Sequence, residues 1–333
     1  MSDFKAIILA GGSGERFWPL STPEKPKQFL RVFGGESLIR QSVSRLKGLA
    51  RPENVFVITS KQLVAATRKE LPEIPRQNII GEPMRRDTGA AVALGVGVAS
   101  RTDGDAGSSG RDGILGFFSS DQLATNPERF RKAVSAAIAK AKRKNAIVTI
   151  GIKPEYPATG FGYVNPKTGA FVEKPDKAKA RQYLKKGYLW NAGMFIGRAS
   201  VFADVIAAHA PALVPLLASS VSRLKSCYES LPKISFDYAV MEHLENVEVV
   251  RGDFGWDDVG SYGAFDKYFP HDARGNVREG PCTVVEADGN ICIARSARIS
   301  LLGVKNLVVV TTPDSVLVAD KSRITEMKKL FGK

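Results

Sequence analysis

The sequence has few of the residues that build disulfide frameworks and metal centres. It holds three cysteines, Cys227, Cys282 and Cys292, and three histidines, His209, His243 and His271. No C-x-x-C occurs and the histidines are scattered, so neither a disulfide scaffold nor a zinc site has support. A reducing, cytoplasmic setting is expected. No apolar run approaches the ~20 residues that a transmembrane helix needs. The N-terminus, MSDFKAIILAGG, runs straight into a Gly-rich loop and shows no signal peptide; no membrane partner is expected. An RNA- or DNA-binding motif is also missing, although 48 Lys+Arg stand against 34 Asp+Glu for a net charge of +14. That excess is spread, gathering only in helical-looking stretches such as 140–144 and 328–329. It reads as solvated surface and attraction for phosphate-bearing substrates, not as a nucleic-acid footprint.

What is present is the composition of a globular protein. With 333 residues and 44% hydrophobic content, the chain can bury a large core without staples. Its most informative stretch is near the start, IILAGGSGERFWPLSTPEKPKQFL. An apolar strand runs into Gly11-Gly12-Ser13-Gly14, and Arg16 follows. Pro19, Pro23 and Pro26 then hold the chain extended as far as Lys27. Glycines let backbone N–H groups close on an anion, and successive N–H groups form a concave nest. Arg16 adds a planar, permanently charged fork and Lys27 a compact ammonium. The loop reads as a cradle for a polyphosphate; the alternative is a Gly-rich turn after a buried strand. Two familiar phosphate loops are excluded. Gly12-Ser13-Gly14 is followed by Glu15-Arg16-Phe17, which breaks G-x-G-x-x-G, and the Lys-Ser/Thr pair of a P-loop is missing.

Downstream, strand-like and helix-like patterns alternate. Residues 38–49, 63–71, 88–99 and 130–142 have helical spacing or a small apolar helical composition, and 55–59, 78–80, 114–118 and 147–152 read as buried strands. That order implies an α/β fold with parallel strands joined by right-handed crossovers. Asp87 or Thr88 can cap the helix that begins there. Asp121 closes the 114–118 strand, where a metal ligand or a turn Asp would sit. Asp237 likewise stands where it can cap a helix. Beyond residue 270 the pattern changes to short strands separated by turn signals such as Asp288-Gly289-Asn290, closed by a helix at 322–331. Domains are expected at 1–270 and 275–333.

LAGGSGERFWPLS…PKQF resembles the signature of sugar-1-phosphate nucleotidyltransferases, and Trp18 with Pro26-Lys27-Gln28-Phe29 is most similar to the mannose-1-phosphate guanylyltransferase branch. The resemblance extends through T-G-F-G-Y (159–163), V-E-K-P (172–175), W-N-A-G-M-F (190–195), S-F-D-Y-A-V-M-E (235–242) and W-D-D-V-G (256–260). It implies a Rossmann-like mixed, mostly parallel sheet flanked by helices, with a small C-terminal β-rich domain, a short left-handed β-helix. It implies GMP transfer from GTP to mannose 1-phosphate by direct in-line attack, with Mg²⁺ on Asp121 and Asp258. Arg16 and Lys27 would be catalytic, with Gly11, Gly12 and Gly14 supplying N–H groups. Glu82, Asp87 and Thr88 would meet the nucleotide; Asp87 stands where the family usually has Asn, and its carboxylate can accept from guanine's ring N–H and amino group. Gly162, Glu173, Lys174, Asn191 and Asp237 would hold the sugar phosphate. Asp257 is expected to be a neighbour of the metal ligand, and a homodimer is expected. The alternatives are the same chemistry with UTP or dTTP and glucose 1-phosphate, or a catalytically silent regulatory subunit that senses nucleotide sugars.

Overall fold

The computed structural model describes residues 4–12, 14–101, 112–218 and 224–332; most of the Gly-rich surface loop expected at 101–113 lies outside them. The chain folds as two compact units. One takes the residues up to Gly11 with Ser42–Ser120 and Ala124–Trp256; the other takes Gly12–Gln41, Asp121–Leu123 and the chain from Asp257 onward. These units are drawn differently from the division at 270–275, because the loop after Gly11 groups with the C-terminal segment.

The first unit is built on a mixed sheet. Its strands are β1 (Phe4–Ala10), β2 (Val55–Ser60), β3 (Ile79–Glu82), β4 (Ile114–Ser119), β5 (Val148–Ile152), β6 (Tyr163–Val164), β7 (Phe171–Val172), β8 (Leu189–Arg198) and β9 (Glu248–Gly252). The path runs β9-β5-β8-β4-β1-β2-β3, with β6 pairing β7 and β8. Strands β4, β1, β2 and β3 are parallel, as are β9 and β5; β8 runs antiparallel to both β4 and β5. β1 is buried on both faces apart from half-buried Leu9, as a central strand covered by helices must be. The helix Asp87–Arg101 supplies one cover. Its small residues are dictated by contact: a Cβ on Gly95 would stand 2.8 Å from the Phe117 ring. The apolar stretch 202–217, whose composition suits a helix, is interrupted. Ala199–His209 ends before Pro211, which cannot donate to a preceding turn, and the chain resumes as Pro211–Leu213 and Val214–Ala218. His209 stacks on His243, ring centroids 5.8 Å apart, a contact the sequence did not disclose.

In the second unit, Val277–Glu279, Ile291–Ala294 and Leu307–Thr311 stack in parallel, Cys282–Val285 pairs with Ile299–Leu302, and Val316–Asp320 closes antiparallel. The coils are fixed by an asparagine ladder at their corners. Asn290 Nδ2 donates to Asn276 Oδ1 at 2.9 Å and to the Val304 carbonyl at 3.1 Å, and its Oδ1 accepts the Leu307 N–H at 2.8 Å. Each amide substitutes for a backbone partner that a coil corner lacks. The final segment, Lys321–Phe331, is a 3₁₀ helix. Among the described residues no helix is long and apolar enough to cross a membrane.

Asn290→Ala takes the side-chain acceptor from the Leu307 N–H, while Asn276 Oδ1 and the Val304 carbonyl keep the Asn290 and Asp288 backbone N–H groups, so unfolding should become easier by about 1–3 kcal/mol. Urea denaturation reads this directly, and an unchanged midpoint would remove the ladder from the account.

Candidate active site

In the second unit the Gly-rich loop is shaped around Lys27. Gly14 has φ +66 and opens a 3₁₀ turn, Glu15–Phe17. A Cβ there would overlap the Lys27 backbone nitrogen and stand 2.7 Å from Lys27 Cβ, so both the left-handed conformation and the close approach call for glycine. Pro26 delivers the chain into a second 3₁₀ turn, Lys27–Phe29. The Lys27 side chain is buried, 6% of the residue being exposed, and Nζ lies 3.0 Å from Asp121 Oδ2 and donates to the Asp258 carbonyl at 2.6 Å. Three segments far apart in sequence thus meet on one ammonium.

Asp258 sits in a tight loop. A Cβ on Gly260 would lie 3.0 Å from Asp258 Oδ2 and 3.4 Å from Arg16 Nη1, which places the guanidinium beside the carboxylate. Burial pushes the Asp258 carboxyl above its usual range, aided by Asp257 and Asp121 and opposed by Lys27 and Arg16. Val259 adopts φ +48, a strained conformation for a β-branched residue. Asp257 holds it there: Oδ1 accepts the Val259 N–H at 2.7 Å, while Oδ2 accepts from Lys267 Nζ at 3.0 Å and the Tyr268 hydroxyl at 2.9 Å. Among the described residues no three His, Cys, Asp or Glu side chains converge on a possible metal position. Two half-buried carboxylates, Asp121 raising the charge cost of Asp258, are nonetheless the hard-oxygen set that a small divalent cation uses when phosphate oxygens and water complete its shell. Gly12, also in this unit, faces open space.

The first unit carries the other expected residues in two groups. Glu82 ends β3 and is buried; Tyr228 donates its hydroxyl to Glu82 Oε1 at 2.9 Å. Burial pushes the Glu82 carboxyl up to about 7, against the Tyr228 hydrogen bond and with help from Asp87. Beside it lies a cleft of about 130 Å³ lined by Gly11, Ser60, Lys61, Glu82, Met84 and Arg85, among others. Arg86 fixes the Tyr228 segment through the carbonyls of Tyr228 and Glu229 at 2.8 and 2.9 Å. Asp87 and Thr88 each accept one backbone N–H. Asp87 Oδ1 accepts the Thr88 N–H at 2.7 Å, and Thr88 Oγ1 accepts the Phe236 N–H at 2.9 Å.

The second group brings together all five residues expected at the sugar phosphate. A Cβ on Gly162 would meet Glu173 Oε2 at 2.6 Å and Asn191 Cβ at 3.4 Å. Lys174, at φ +43, donates to Glu173 Oε1 at 2.6 Å and lies 5.9 Å from the Tyr238 ring centroid. The Glu173 N–H is held by Glu242 Oε1 at 2.7 Å, and Asn191 Nδ2 donates to Asp237 Oδ1 at 3.0 Å. Ser235, not Asp237, caps the helix Phe236–Ala239, which leaves the Asp237 carboxylate to the cluster. Burial and the charge of Glu173 push Asp237 up to about 7, with Lys174 opposing. Glu173 is also raised, by burial first, against the pull of Lys174.

Sequence reasoning missed Lys61, Arg85, Tyr228, Glu242 and Thr149. Glu242 ends the S-F-D-Y-A-V-M-E segment and was within reach; Tyr228 and Thr149 sit in no motif.

Two outcomes follow for this site. Gly14→Ala should displace Lys27 and cut activity on nucleotide substrates by about 10²-fold or more while circular dichroism stays native; wild-type turnover would show that the loop absorbs the side chain. Glu82 is raised on folding, so the folded state binds the extra proton. Its contribution therefore favours folding below about pH 4.5 and is lost as pH rises through about 7, a change on the order of 3 kcal/mol. Glu82→Gln should flatten stability between pH 5 and 8, and urea midpoints that still slope as in wild type would contradict this.

The Nucleotidyl transferase family model matches residues 5–274, and the MannoseP isomerase/GMP-like beta-helix domain model matches residues 280–333. The Xanthan biosynthesis protein XanB of Xanthomonas campestris pv. campestris is 36% identical over 100% of this chain and 73% of its own length. A mannose-1-phosphate guanylyltransferase of Klebsiella pneumoniae is 33% identical over 97% of this chain and 72% of its own. A solved structure described as mannose-1-phosphate geranyltransferase from Thermus thermophilus matches with a TM-score of 0.87 and 34% identity, covering 99% of this chain and 98% of that one. With its Gly-rich loop, its mixed sheet and its parallel C-terminal coils, the chain belongs to the nucleotidyl transferase family.

Proposed function

We propose that this protein transfers GMP from GTP to α-D-mannose 1-phosphate, releasing pyrophosphate and forming GDP-mannose. The observation that carries this reading is the Lys27 ammonium bonded to the Asp121 carboxylate and to the Asp258 carbonyl, with Arg16 alongside. The names of relatives at about one-third identity over nearly the whole chain support the same substrates.

In this reaction an oxygen of the sugar phosphate attacks the α-phosphorus of GTP and pyrophosphate departs in line. Such transfers need positioning and charge neutralisation more than covalent participation. Arg16 and Lys27 neutralise the triphosphate as negative charge shifts to the leaving group, and the N–H groups of Gly11, Gly12 and Gly14 line the loop that receives it. Asp121 and Asp258 would hold the divalent cation, taken to be Mg²⁺. Bound there, the cation supplies further neutralisation of phosphate oxygens. Glu82, Asp87 and Thr88 meet the nucleotide, and Lys174 takes the phosphate of the sugar substrate. Glu173, Asn191 and Asp237, with the close approach allowed at Gly162, orient the hexose. Residues 1–270 form the transferase domain in this reading and 275–333 the β-helix-like domain; the protein works as a cytoplasmic homodimer.

Purified protein with GTP, Mg²⁺ and mannose 1-phosphate should release pyrophosphate, in preference to mixtures with UTP, dTTP or glucose 1-phosphate. Lys27→Ala and Asp258→Ala should each lower kcat by about 10²-fold or more in folded protein. Absence of pyrophosphate, or tight GDP-mannose binding without turnover, would overturn the proposal.

A further inference from the structure

The Asn191 amide is almost fully engaged by the protein itself. Oδ1 accepts from the Gly193 N–H at 3.0 Å and from the Thr149 hydroxyl at 2.8 Å, and Nδ2 donates to Asp237 Oδ1 at 3.0 Å. A backbone N–H can only donate, so turning the amide over would set an NH₂ group against Gly193. The orientation is therefore fixed by chemistry. A carbonyl oxygen has two acceptor sites and both are taken; one N–H remains.

Local backbone produces this arrangement. The pairing of β5 with β8 shifts register between Thr149 and Gly151, an irregularity of the kind that re-aims a side chain. Gly193, at φ +67, turns its N–H back towards Asn191. Thr149 is buried on β5; its one hydroxyl proton goes to Asn191 Oδ1, the nearer acceptor at 2.8 Å, with the Met194 carbonyl at 3.1 Å competing for it. A buried threonine, an asparagine and a carboxylate thus form one directed chain of hydrogen bonds that ends on Asp237. An ionised carboxylate offers about four acceptor sites, of which Asn191 takes one.

We propose that Thr149 and Asn191 are positioning residues acting through Asp237, and that Asp237 is the group that meets the hydroxyls of the sugar phosphate. This rests on the site reading given above and deepens it. The charged groups facing Asp237 are Glu173 and Lys174 from the turn after β7 and Asp87 at the start of its helix, while Glu242 holds the Glu173 backbone. A donated N–H favours the ionised carboxylate. Loosening the amide therefore raises the pH at which Asp237 ionises, and the acid limb of kcat/KM for the sugar phosphate moves to higher pH.

The test uses full-length protein. Thr149→Val keeps the shape but removes the hydroxyl. It should raise KM for mannose 1-phosphate about 3- to 10-fold, leave KM for GTP unchanged, and shift the acid limb upward. Thr149→Ser should restore both, and Asn191→Ala should move both further the same way. Calorimetric titration of mannose 1-phosphate without GTP at several pH values gives the same reading independently of turnover. Variants that lose thermal stability but keep the wild-type KM and pH profile would overturn the inference alone. A wild type that neither binds nor converts mannose 1-phosphate would overturn the reading of the site and this inference with it.

Discussion

A buried ammonium has to be paired, and in the second unit the pairing of Lys27 organises everything near it. A charge taken out of water without partners costs several kcal/mol, so the site exists only where Asp121 and the Asp258 carbonyl can both reach Nζ. That requirement runs outward through the chain. Gly14 must be glycine because the Lys27 backbone passes where a side chain would stand. Val259 must tolerate a left-handed backbone for Asp258 to turn its carbonyl inward, and Asp257 offsets that strain by accepting the Val259 N–H. The Asp257 carboxylate is itself secured by Lys267 and Tyr268. A residue read as a mere neighbour is a structural anchor of the loop.

The first unit solves the opposite problem. Around Asn191 carboxylates outnumber cations: Glu173, Asp237 and Asp87 act on one another with Lys174 the cation acting on them. Both Glu173 and Asp237 are held above their ordinary range by burial, Asp237 up to about 7, so a proton competes for the Asp237 carboxylate near neutral pH. A ligand rich in hydroxyl donors relieves the carboxylates, and a phosphate on the same ligand satisfies Lys174. A sugar phosphate carries both groups, whereas a free hexose or free phosphate carries one. The electrostatics of the empty cluster thus argue for the same substrate class as the motif resemblance, from a separate observation.

What was legible in the sequence follows from what sequence can encode. Alternating apolar strands and helices gave the sheet, because burial on both faces leaves a periodic record. Motifs gave residue types at Lys27, Asp121, Glu173, Asn191 and Asp258, because in the proposed reaction phosphate and hydroxyl chemistry would constrain them. Contacts between distant segments left no such record. Lys27 and Asp258 are 231 residues apart, and Tyr228 and Glu82 are 146 apart. Asp87 and Thr88 also carry contacts that their types did not disclose: Asp87 Oδ1 accepts the Thr88 N–H and Thr88 Oγ1 accepts the Phe236 N–H, while the exposed Asp87 carboxylate keeps further acceptor sites. Thr149 looked like one more β-branched strand residue until the bulge aimed its hydroxyl at Asn191.

The C-terminal coils, in which the sequence offered no chemistry, take part in the site through packing. In the second unit Phe17, Leu30, Val32 and Phe33 from the Gly-rich loop share one apolar core with Val277, Ile291, Ile293, Val308, Leu317 and Met327. The Tyr262 hydroxyl donates to the Phe17 carbonyl at 2.9 Å and lies 3.1 Å from the Trp18 carbonyl, and the Trp18 ring meets Phe331 edge-on with centroids 5.9 Å apart. A loop that must hold an arginine and a lysine against a highly charged ligand cannot be left to solvent, because fixing its backbone costs conformational entropy at every residue. Here that cost is met by apolar area buried against the coils. The coils are accordingly the floor on which Arg16 and Lys27 are set, and in the proposed reaction their part would be to keep those two cations in place for the triphosphate.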